Sequence, residues 1–286
     1  FQTMALPWNL QARAGQWFTA FGRINPLHPH QWDFVDQPLV VGRIFGPEGL
    51  RNPGARLSWL APTPFYSEAF LAVLNGNGGT AFSFRNPEYT VGRTPVERDL
   101  DGPGDLLYVP RIVSSFDLSD AQTLVVGASG AIGPNDSGSD TRTRIYGADV
   151  YWKWKSPSAH GGFPFASLQM EALHRDYEAG ADPETELPAE TLSDWGLYAQ
   201  ALWGFHKGWV AGLRGDYVRD DGGQADPEDV NRGMRERVSP NLTWYPTEFS
   251  KFRIQYNFDH GDRFGDEHSV WCQVEFLLGS HGAHKF

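Results

Sequence analysis

A short stretch near the carboxyl-terminal end concentrates side chains of the kinds that bind metal ions. His260, Asp262, Asp266, Glu267 and His268 fall within nine consecutive residues. Imidazole nitrogens and carboxylate oxygens are ligands that suit Zn²⁺ and similar divalent ions. The spacing therefore predicts a divalent-cation site, with Zn²⁺ as the candidate ion, formed by His260, Asp262, Asp266 and His268. An ordinary hydrophilic loop is the alternative, and no other cofactor is expected.

A second segment also combines histidine with carboxylates. His28 and His30 precede Asp33 and Asp36 in a Pro-containing stretch that covers residues 25–53. We expect this stretch to be a second external loop, which would supply the same kind of metal ligands.

The elements that position these groups show a period of two. Phe252, Ile254, Tyr256 and Phe258 alternate with polar residues, for example. Successive side chains of a strand leave opposite faces, so such alternation predicts β-strands. Thirteen strands are predicted, and they cover residues 1–5, 10–24, 55–61, 66–74, 108–118, 123–132, 144–155, 166–175, 195–205, 209–218, 237–246, 251–259 and 269–278.

Strand length and aromatic placement favour a membrane-spanning barrel over a soluble β-sandwich. Most predicted strands have about ten residues, the length that a tilted strand needs to cross a bilayer. Aromatic side chains such as Trp244, Phe249 and Phe252 cluster at short turns. Such clusters are typical of the aromatic girdles at the two membrane interfaces. We therefore predict an all-β, antiparallel up-and-down transmembrane β-barrel, and a secreted soluble β-sandwich binding protein is the alternative.

The apolar phase of the strands predicts which side chains face lipid. These are Trp203, Trp244, Tyr256, Phe258 and Phe276. An Arg at Ile254 should then cost about 2–4 kcal/mol near the bilayer midplane, whereas an Arg at Gln255 should cost little.

Loop lengths alternate along the chain, with short turns at one end of the strands and long polar loops at the other. Outer-membrane barrels have short periplasmic turns, long external loops and an even number of strands. Thirteen strands therefore predict a barrel of 14 or 16 strands. On this interpretation, residues 1–286 are a single barrel domain that lacks its N-terminal strands.

Composition agrees with a barrel and excludes other classes. The 286 residues include 14% aromatic side chains and 11 Trp, but the mean hydropathy is only -0.44. Since no run of about 18 apolar residues occurs, no transmembrane helix is expected. A barrel with an apolar outer face and a polar interior reconciles these values. The net charge of -11 argues against nucleic acid as a partner, and the single Cys272 excludes a disulfide framework.

The polar phase of the strands predicts a charged pore wall. Its basic members are Arg13, Arg23, Arg56, Arg111, Lys153, Lys155, Arg175, Arg214, Arg237, Lys251 and Arg253. Its acidic members are Glu68, Asp117, Asp149, Glu171, Asp216, Asp259 and Glu275. A basic excess on a pore wall favours anions. The alternative is that these charges pair with one another and only keep the lumen hydrated.

The ends of the chain predict where the basic charges gather. The first and last strands of a closed barrel are neighbours, so Arg13, Arg23, Lys251 and Arg253 should form one basic sector. Enzyme motifs such as GxSxG, HExxH and the P-loop do not occur, so no enzymatic activity is expected.

Several stretches resemble known outer-membrane families. Residues 13–18 with Phe21-Gly22-Arg23, and residues 73–76, resemble segments of the phosphate-selective porin O and P family. Residues 25–30, 34–40, 239–250 and 281–286 resemble the related group labelled zinc-regulated TonB-dependent outer-membrane receptors. The resemblance spans nearly the whole chain and implies a β-barrel in the outer membrane of a Gram-negative bacterium.

Together, these features predict a porin-like channel for passive diffusion of small hydrophilic solutes, with a weak preference for anions. A receptor barrel for zinc uptake is one alternative, and the soluble binding protein is the other. The partners expected are outer-membrane lipid and small solutes or ions, with a homo-oligomer left open.

Overall fold

The computed structural model describes residues 1–3, 6–97, 99–221, 223 and 232–278. Within these residues, twelve antiparallel strands follow one another in chain order in a single sheet. They are β1 (Leu10–Gln16), β2 (Pro53–Leu60), β3 (Tyr66–Leu74), β4 (Leu107–Ser119), β5 (Gln122–Pro134), β6 (Arg142–His160), β7 (Phe163–Ala179), β8 (Glu190–His206), β9 (Trp209–Asp220), β10 (Arg235–Thr247), β11 (Ser250–Gly261) and β12 (Gly265–Phe276). This is the predicted up-and-down arrangement, and one sheet in this order is not a two-sheet sandwich.

The two faces of the sheet have the polarity of a membrane barrel. On β11, Lys251, Arg253 and Gln255 are buried, whereas Phe252 and Ile254 between them are exposed. This is the reverse of a soluble protein, in which long charged side chains stay outside. The period of two therefore places charge in the interior and apolar side chains on the outside, as predicted.

The predicted lipid-facing aromatic residues lie on this outer face. Trp203 is 60% exposed and Phe276 is 63% exposed, and Trp244 and Tyr256 are exposed as well. Phe258 has the same orientation but is half-buried. Near the short turns, the ring of Trp244 stacks on Trp209 of the preceding strand and on Phe252 of the next. The row of rings is the girdle that the sequence predicted.

The start of the chain accounts for the difference between thirteen predicted strands and twelve observed ones. The N–H of Thr3 donates to the carbonyl of Ala12 at 2.9 Å, and the N–H of Ala14 donates to the carbonyl of Phe1 at 2.9 Å. Residues 1–3 therefore run beside β1, as the first predicted strand requires. Met4 and Ala5 lie outside the described residues. Between the first two predicted strands, the short 3-10 helix Pro7–Asn9 leads into β1.

The prediction of one strand over residues 10–24 was wrong beyond Gln16, where β1 ends. Trp17, Phe21 and Ile24 are buried in an apolar cluster inside the curved sheet. The chain leaves the sheet after Gly15, whose φ of +136° favours glycine. Trp17, Phe21 and Ile24 are spaced by four and three positions, so their burial does not follow the period of two that the prediction extended to residue 24.

The segment 17–52 lies in the interior of the sheet, so the prediction of residues 25–53 as an external loop was wrong. It carries the one α-helix among the described residues, α1 (Leu39–Phe45), which was not predicted. Its backbone and side chains reach Ser129 on β5, Glu171 on β7 and Gln255 on β11. A single short segment can touch strands this far apart in order because the sheet curves around it.

A second inward segment, residues 75–93, packs against the first. Phe84 and Ala81 join Val40, Ile44 and Phe45 of α1 in the same buried cluster. Inward side chains of the wall, such as Leu107 on β4, complete this cluster. The interior at this level is therefore a packed apolar core rather than an open tube.

No described helix is long and apolar enough to cross a membrane. Residues 279–286, which include the aromatic carboxyl terminus and the histidines at 281 and 284, lie outside the described residues.

Candidate functional site

The interior is divided by a short stretch of the first inward segment, which we call the septum and define as residues 33–37. Asp36 accepts hydrogen bonds from Arg214 at 2.9 Å and from Gln255 at 2.8 Å, and it also pairs with Arg237. Burial alone would raise the pKa of Asp36, but the guanidinium groups of Arg214 and Arg237 hold that pKa below its usual value. Side chains from three neighbouring strands, β9, β10 and β11, therefore bond to a single carboxylate of the septum.

Wall side chains also satisfy the backbone of the inward segment. The N–H of Val35 donates to Gln255 at 2.9 Å, and the N–H of Leu39 donates to Asp216 at 3.0 Å. The N–H of Ile24 donates to Glu171 at 2.8 Å. Irregular backbone inside a membrane protein needs such partners, because unpaired polar groups are costly there. The predicted wall residues Glu171 and Asp216 thus act as anchors for the inward segment.

Gly22 shows how closely the segment approaches the wall. Its φ is +57°, and a Cβ placed there would lie 1.9 Å from a carboxylate oxygen of Glu171. Its N–H donates to Ser129 on β5 at 3.1 Å. A side chain at this position would push the segment away from β5 and β7 together.

A second set of contacts holds the loop-side end of the interior. Arg43 on α1 donates to the carbonyl of Gly233 at 2.9 Å and lies 3.9 Å from Asp194 and 3.7 Å from Asp220. Burial lowers the pKa of Arg43, and the two aspartates oppose that shift. The short helix is therefore fixed to the ends of β8 and β9 by its one basic residue.

Arg175 links the wall to the second inward segment. It forms a buried ion pair with Asp194 and donates to the hydroxyl of Ser83 at 2.7 Å and of Tyr89 at 3.0 Å. Ser83 in turn donates to the carbonyl of Ile44 on α1 at 2.5 Å. Because Ser83 links Arg175 to Ile44 of α1, neither inward segment can move far without breaking buried polar contacts.

Many of the predicted wall charges pair with one another, as the alternative interpretation expected. Arg111 and Asp149 are 2.6 Å apart, and Lys251 and Glu275 are 3.0 Å apart. The further pairs are Arg214 with Asp216 at 2.7 Å and Arg237 with Asp259 at 2.8 Å. These pairs reduce the field that each side chain contributes to the lumen.

A group of basic residues gathers around Asp33 on the side of the septum that faces the short turns. Arg253, Lys251, Arg23 and Lys153 all act electrostatically on its carboxylate. Burial raises the pKa of Asp33, and these four cations act in the opposite direction. We call the four side chains the basic sector.

Three members of the basic sector match those predicted from the ends of the chain. Arg23 reaches it from the inward segment instead of from a strand, and its guanidinium lies 4.1 Å above the ring of Tyr151. Arg253 donates to the carbonyl of Trp32 at 3.0 Å. Arg13 is placed apart from them: it is in register with Arg56 on β2 and lies 4.9 Å above the ring of Trp17.

The predicted metal ligands lie at the loop-side ends of β11 and β12. His260 and Asp266 are 2.6 Å apart, and His268 bonds to the hydroxyl of Tyr256 at 2.6 Å. Asp262 bonds instead to the N–H of Met234 at 3.2 Å. Among the described residues, no group of three or more such side chains is placed to hold a metal ion. The Zn²⁺ site stays a prediction.

The second predicted metal segment lies inside the sheet. The rings of His28 and His30 stack with centroids 5.5 Å apart, and Phe18 contacts His28 edge to face. Asp33 and Asp36 face the basic wall residues described above rather than the histidines. A signal for this inward path was present in the sequence. The predicted external loop contains Val40, Val41, Ile44 and Phe45, which a solvated loop has no reason to carry.

Comparisons with known proteins agree with this architecture. No family model matches the chain. A protein of Aquifex aeolicus (strain VF5), described as an uncharacterized protein, is 31% identical over 309 residues. The match covers 99% of this chain and 62% of that relative, so the chain spans less than two thirds of the relative's length.

A solved structure of a bacterial channel shares the fold. The outer membrane channel DcaP of Acinetobacter baumannii aligns with a TM-score of 0.58 at 11% identity, covering 94% of this chain and 71% of that channel. A likeness at this identity concerns the fold alone, and it confirms the transmembrane β-barrel architecture. A NanC porin aligns with a TM-score of 0.34 at 11% identity, covering 79% of this chain and 93% of that porin, which is too weak to carry an argument.

Proposed function

We propose that the protein is a porin-like channel of the bacterial outer membrane through which small hydrophilic solutes diffuse passively, with a weak preference for anions. One observation carries this proposal: the burial of charge and the exposure of apolar side chains are inverted over the strands. Arg214, which is 1% exposed, lies inside, and Ile254, which is 52% exposed, lies outside. Such a distribution requires lipid around the sheet and a polar path within it.

The inward segments supply the selectivity that this function needs. They fill the interior next to β3–β9 with an apolar core, and the path that we propose for solutes runs along the polar side of the septum. The anchors of the septum on β10 and β11 are Asn241, Gln255 and Arg237. A path with polar walls admits small polar solutes and excludes large or apolar ones.

The basic sector supports the anion preference. Lys251 pairs with Glu275, and Asp33 lies among the four cations. Four basic and two acidic side chains leave an excess of positive charge at this level. Basic groups at a narrow level of a pore attract anions, although the acidic external loops repel them at the mouth.

Reversal potentials across a planar lipid bilayer test the proposal. Under a KCl gradient, the wild-type channel should show a potential of the sign expected for Cl⁻ preference. Arg23→Ala combined with Arg253→Ala should shift that potential towards zero or towards cation preference. High salt should weaken the effect, because the Debye length falls from about 8 Å at 0.15 M to about 3 Å at 1 M.

Two controls separate charge from structure. Arg144→Ala removes a half-exposed rim charge that pairs with Glu178, and it should leave the potential unchanged. Arg23→Lys with Arg253→Lys keeps the charge and should retain the wild-type sign. Cation preference of the wild type, or an unaltered potential in the double alanine variant, would contradict the anion preference. Absence of any conductance would contradict the channel itself.

A further inference from the structure

The loop-side end of the interior contains a cavity of about 560 Å³. Its walls come from α1, from the second inward segment and from the ends of β8, β9 and β10. Small-molecule sites typically occupy about 300–1,000 Å³ and combine apolar walls with a few polar groups. The cavity has this size and this mixture, and it lies across the septum from the basic sector.

One part of the cavity wall is lined by arginine side chains. Arg43, Arg232, Arg235 and Arg237 line it, against Asp36 and Asp194. The carboxylates of Asp220 and Asp259, which pair with these arginines, are buried behind the lining. The surface that a solute meets therefore carries four guanidinium groups and two carboxylates.

A negative group in the cavity would have strong partners. Each guanidinium group has five N–H donors, and Arg235 uses its Nε and Nη2 atoms towards Asp259, so its Nη1 atom can donate to a solute. Burial lowers the pKa of Arg43, Asp194 and Asp220 oppose this shift, and the nearby Arg175 and Arg232 lower the pKa further. An anion placed among these groups would relieve the repulsion between them.

Another part of the cavity wall is apolar and flat. The rings of Phe82 and Tyr89 stack with their centroids 4.0 Å apart, and both line the cavity. Leu39 and Val218 add aliphatic surface. A planar apolar group can pack on this wall. Packing of the same group against the arginine-lined wall would be unfavourable, because the arginines would lose hydration without gaining a polar partner.

We propose that this cavity binds organic anions that combine one carboxylate with a flat apolar body, such as an aryl-alkyl carboxylate. The carboxylate contacts the arginine-lined wall, and the ring packs beside Phe82 and Tyr89. The assignment of these anions as the solutes of the channel rests on the function proposed above. As a binding site, it is tested without any transport.

Isothermal titration calorimetry on the detergent-solubilised chain separates the two recognition elements. The probe is 3-phenylpropionate, which has both the ring and the carboxylate. Propionate has only the charge, and 3-phenylpropylammonium has the ring with the opposite charge. We expect 3-phenylpropionate to bind at least about tenfold more tightly than either, because each lacks one favourable contact with a wall.

Two substitutions on different walls connect the binding to this cavity. Arg235→Gln removes one guanidinium group, and Phe82→Ala removes one ring face. Each should weaken 3-phenylpropionate by about tenfold. Arg144→Gln is the matched control, because it removes a rim arginine outside the cavity and should leave the affinity unchanged. Near-ultraviolet circular dichroism checks that each variant keeps the wild-type packing.

Three results would overturn the assignment: equal affinity for the anion and the ammonium probe, equal affinity for propionate, or unchanged binding in both cavity variants. A chain that conducts ions but shows any of these results is a channel without this site. A chain that binds 3-phenylpropionate as expected but does not conduct has the site and lacks the channel function.

Discussion

Replacing Ile254 by Arg measures directly whether the outer face of β11 lies in lipid. Ile254 is the fifth residue of β11, four positions from the turn-side end at Ser250. At about 3.3 Å per residue and a strand tilt of about 40°, these four positions place it roughly 10 Å above that end. The apolar band of such barrels is about 25 Å tall, so Ile254 lies close to the midplane. We therefore expect the free energy of unfolding to fall by about 2–4 kcal/mol.

The control for this substitution must face the interior at the same depth. Gln255, which the alternation suggested, is unsuitable because it is 0% exposed and bonds to both Val35 and Asp36. Ser115 on β4 is four positions from the turn-side end at Ser119, shares the inward phase of Arg111, and is only half-buried. Ser115→Arg should cost less than about 1 kcal/mol, since a lumen-facing charge stays hydrated.

Reversible denaturant titration in phospholipid vesicles provides the two free energies of unfolding. A difference of about 2 kcal/mol or more between Ile254→Arg and Ser115→Arg is expected. Equal costs at the two positions would refute the assignment of the outer face to lipid. A soluble chain, for its part, would fold without vesicles and would tolerate Ile254→Arg at a cost within about 0.5 kcal/mol.

Two further predictions concern the septum and the metal ligands. Asp36→Asn should lower the free energy of unfolding at pH 7 by about 1–3 kcal/mol. The loss is smaller than that for a buried arginine left without any partner, because Arg214 still pairs with Asp216 and Arg237 with Asp259. Because the pKa of Asp36 is lower in the folded protein than in the unfolded chain, its ionised carboxylate stabilises the fold fully above about pH 4. This stabilisation is lost as the pH falls through the pKa of the folded protein, so Asp36→Asn should lack that part of the pH dependence of stability. An identical pH profile in both proteins would exclude this role. Calorimetry with Zn²⁺ should show binding that is lost in His260→Ala/His268→Ala, and no difference between the two proteins would rule the site out.

The strands could be predicted from sequence because one physical rule governs them. A strand between lipid and a polar interior must alternate, so β11 and β12 are recognisable from Phe252 to Phe276 without any tertiary information. Short turns and aromatic clusters then indicate the order of the strands in the sheet and which ends of the strands lie at the two membrane interfaces. The period of two also predicts whether a side chain lies on the inner or the outer face of the sheet, and the burial of Lys251 and Arg253 confirms this prediction on β11.

The path of the inward segments follows no comparable rule. Residues 17–52 have no continuous period, and their position is set by contacts far apart in the sequence, such as Asp36 with Arg214 and Arg237. Each of these partners looks like an ordinary pore-wall charge in the sequence. They differ from such charges because they pair with Asp36 of the first inward segment. The alternation along a strand does not predict where that segment lies.

The inward segments also change what the wall charges do. In an open tube, Arg214 and Arg237 would act on passing ions, and the excess of basic wall residues would translate into anion preference. Here both guanidinium groups bond to Asp36, so much of their charge stabilises the septum instead. Arg23, which is half-buried, and Arg253, which is 4% exposed, do not bond to Asp36, so their charge is the part that can act on solutes. The selectivity of the channel should therefore respond to these two residues, and its stability to the arginines that hold Asp36.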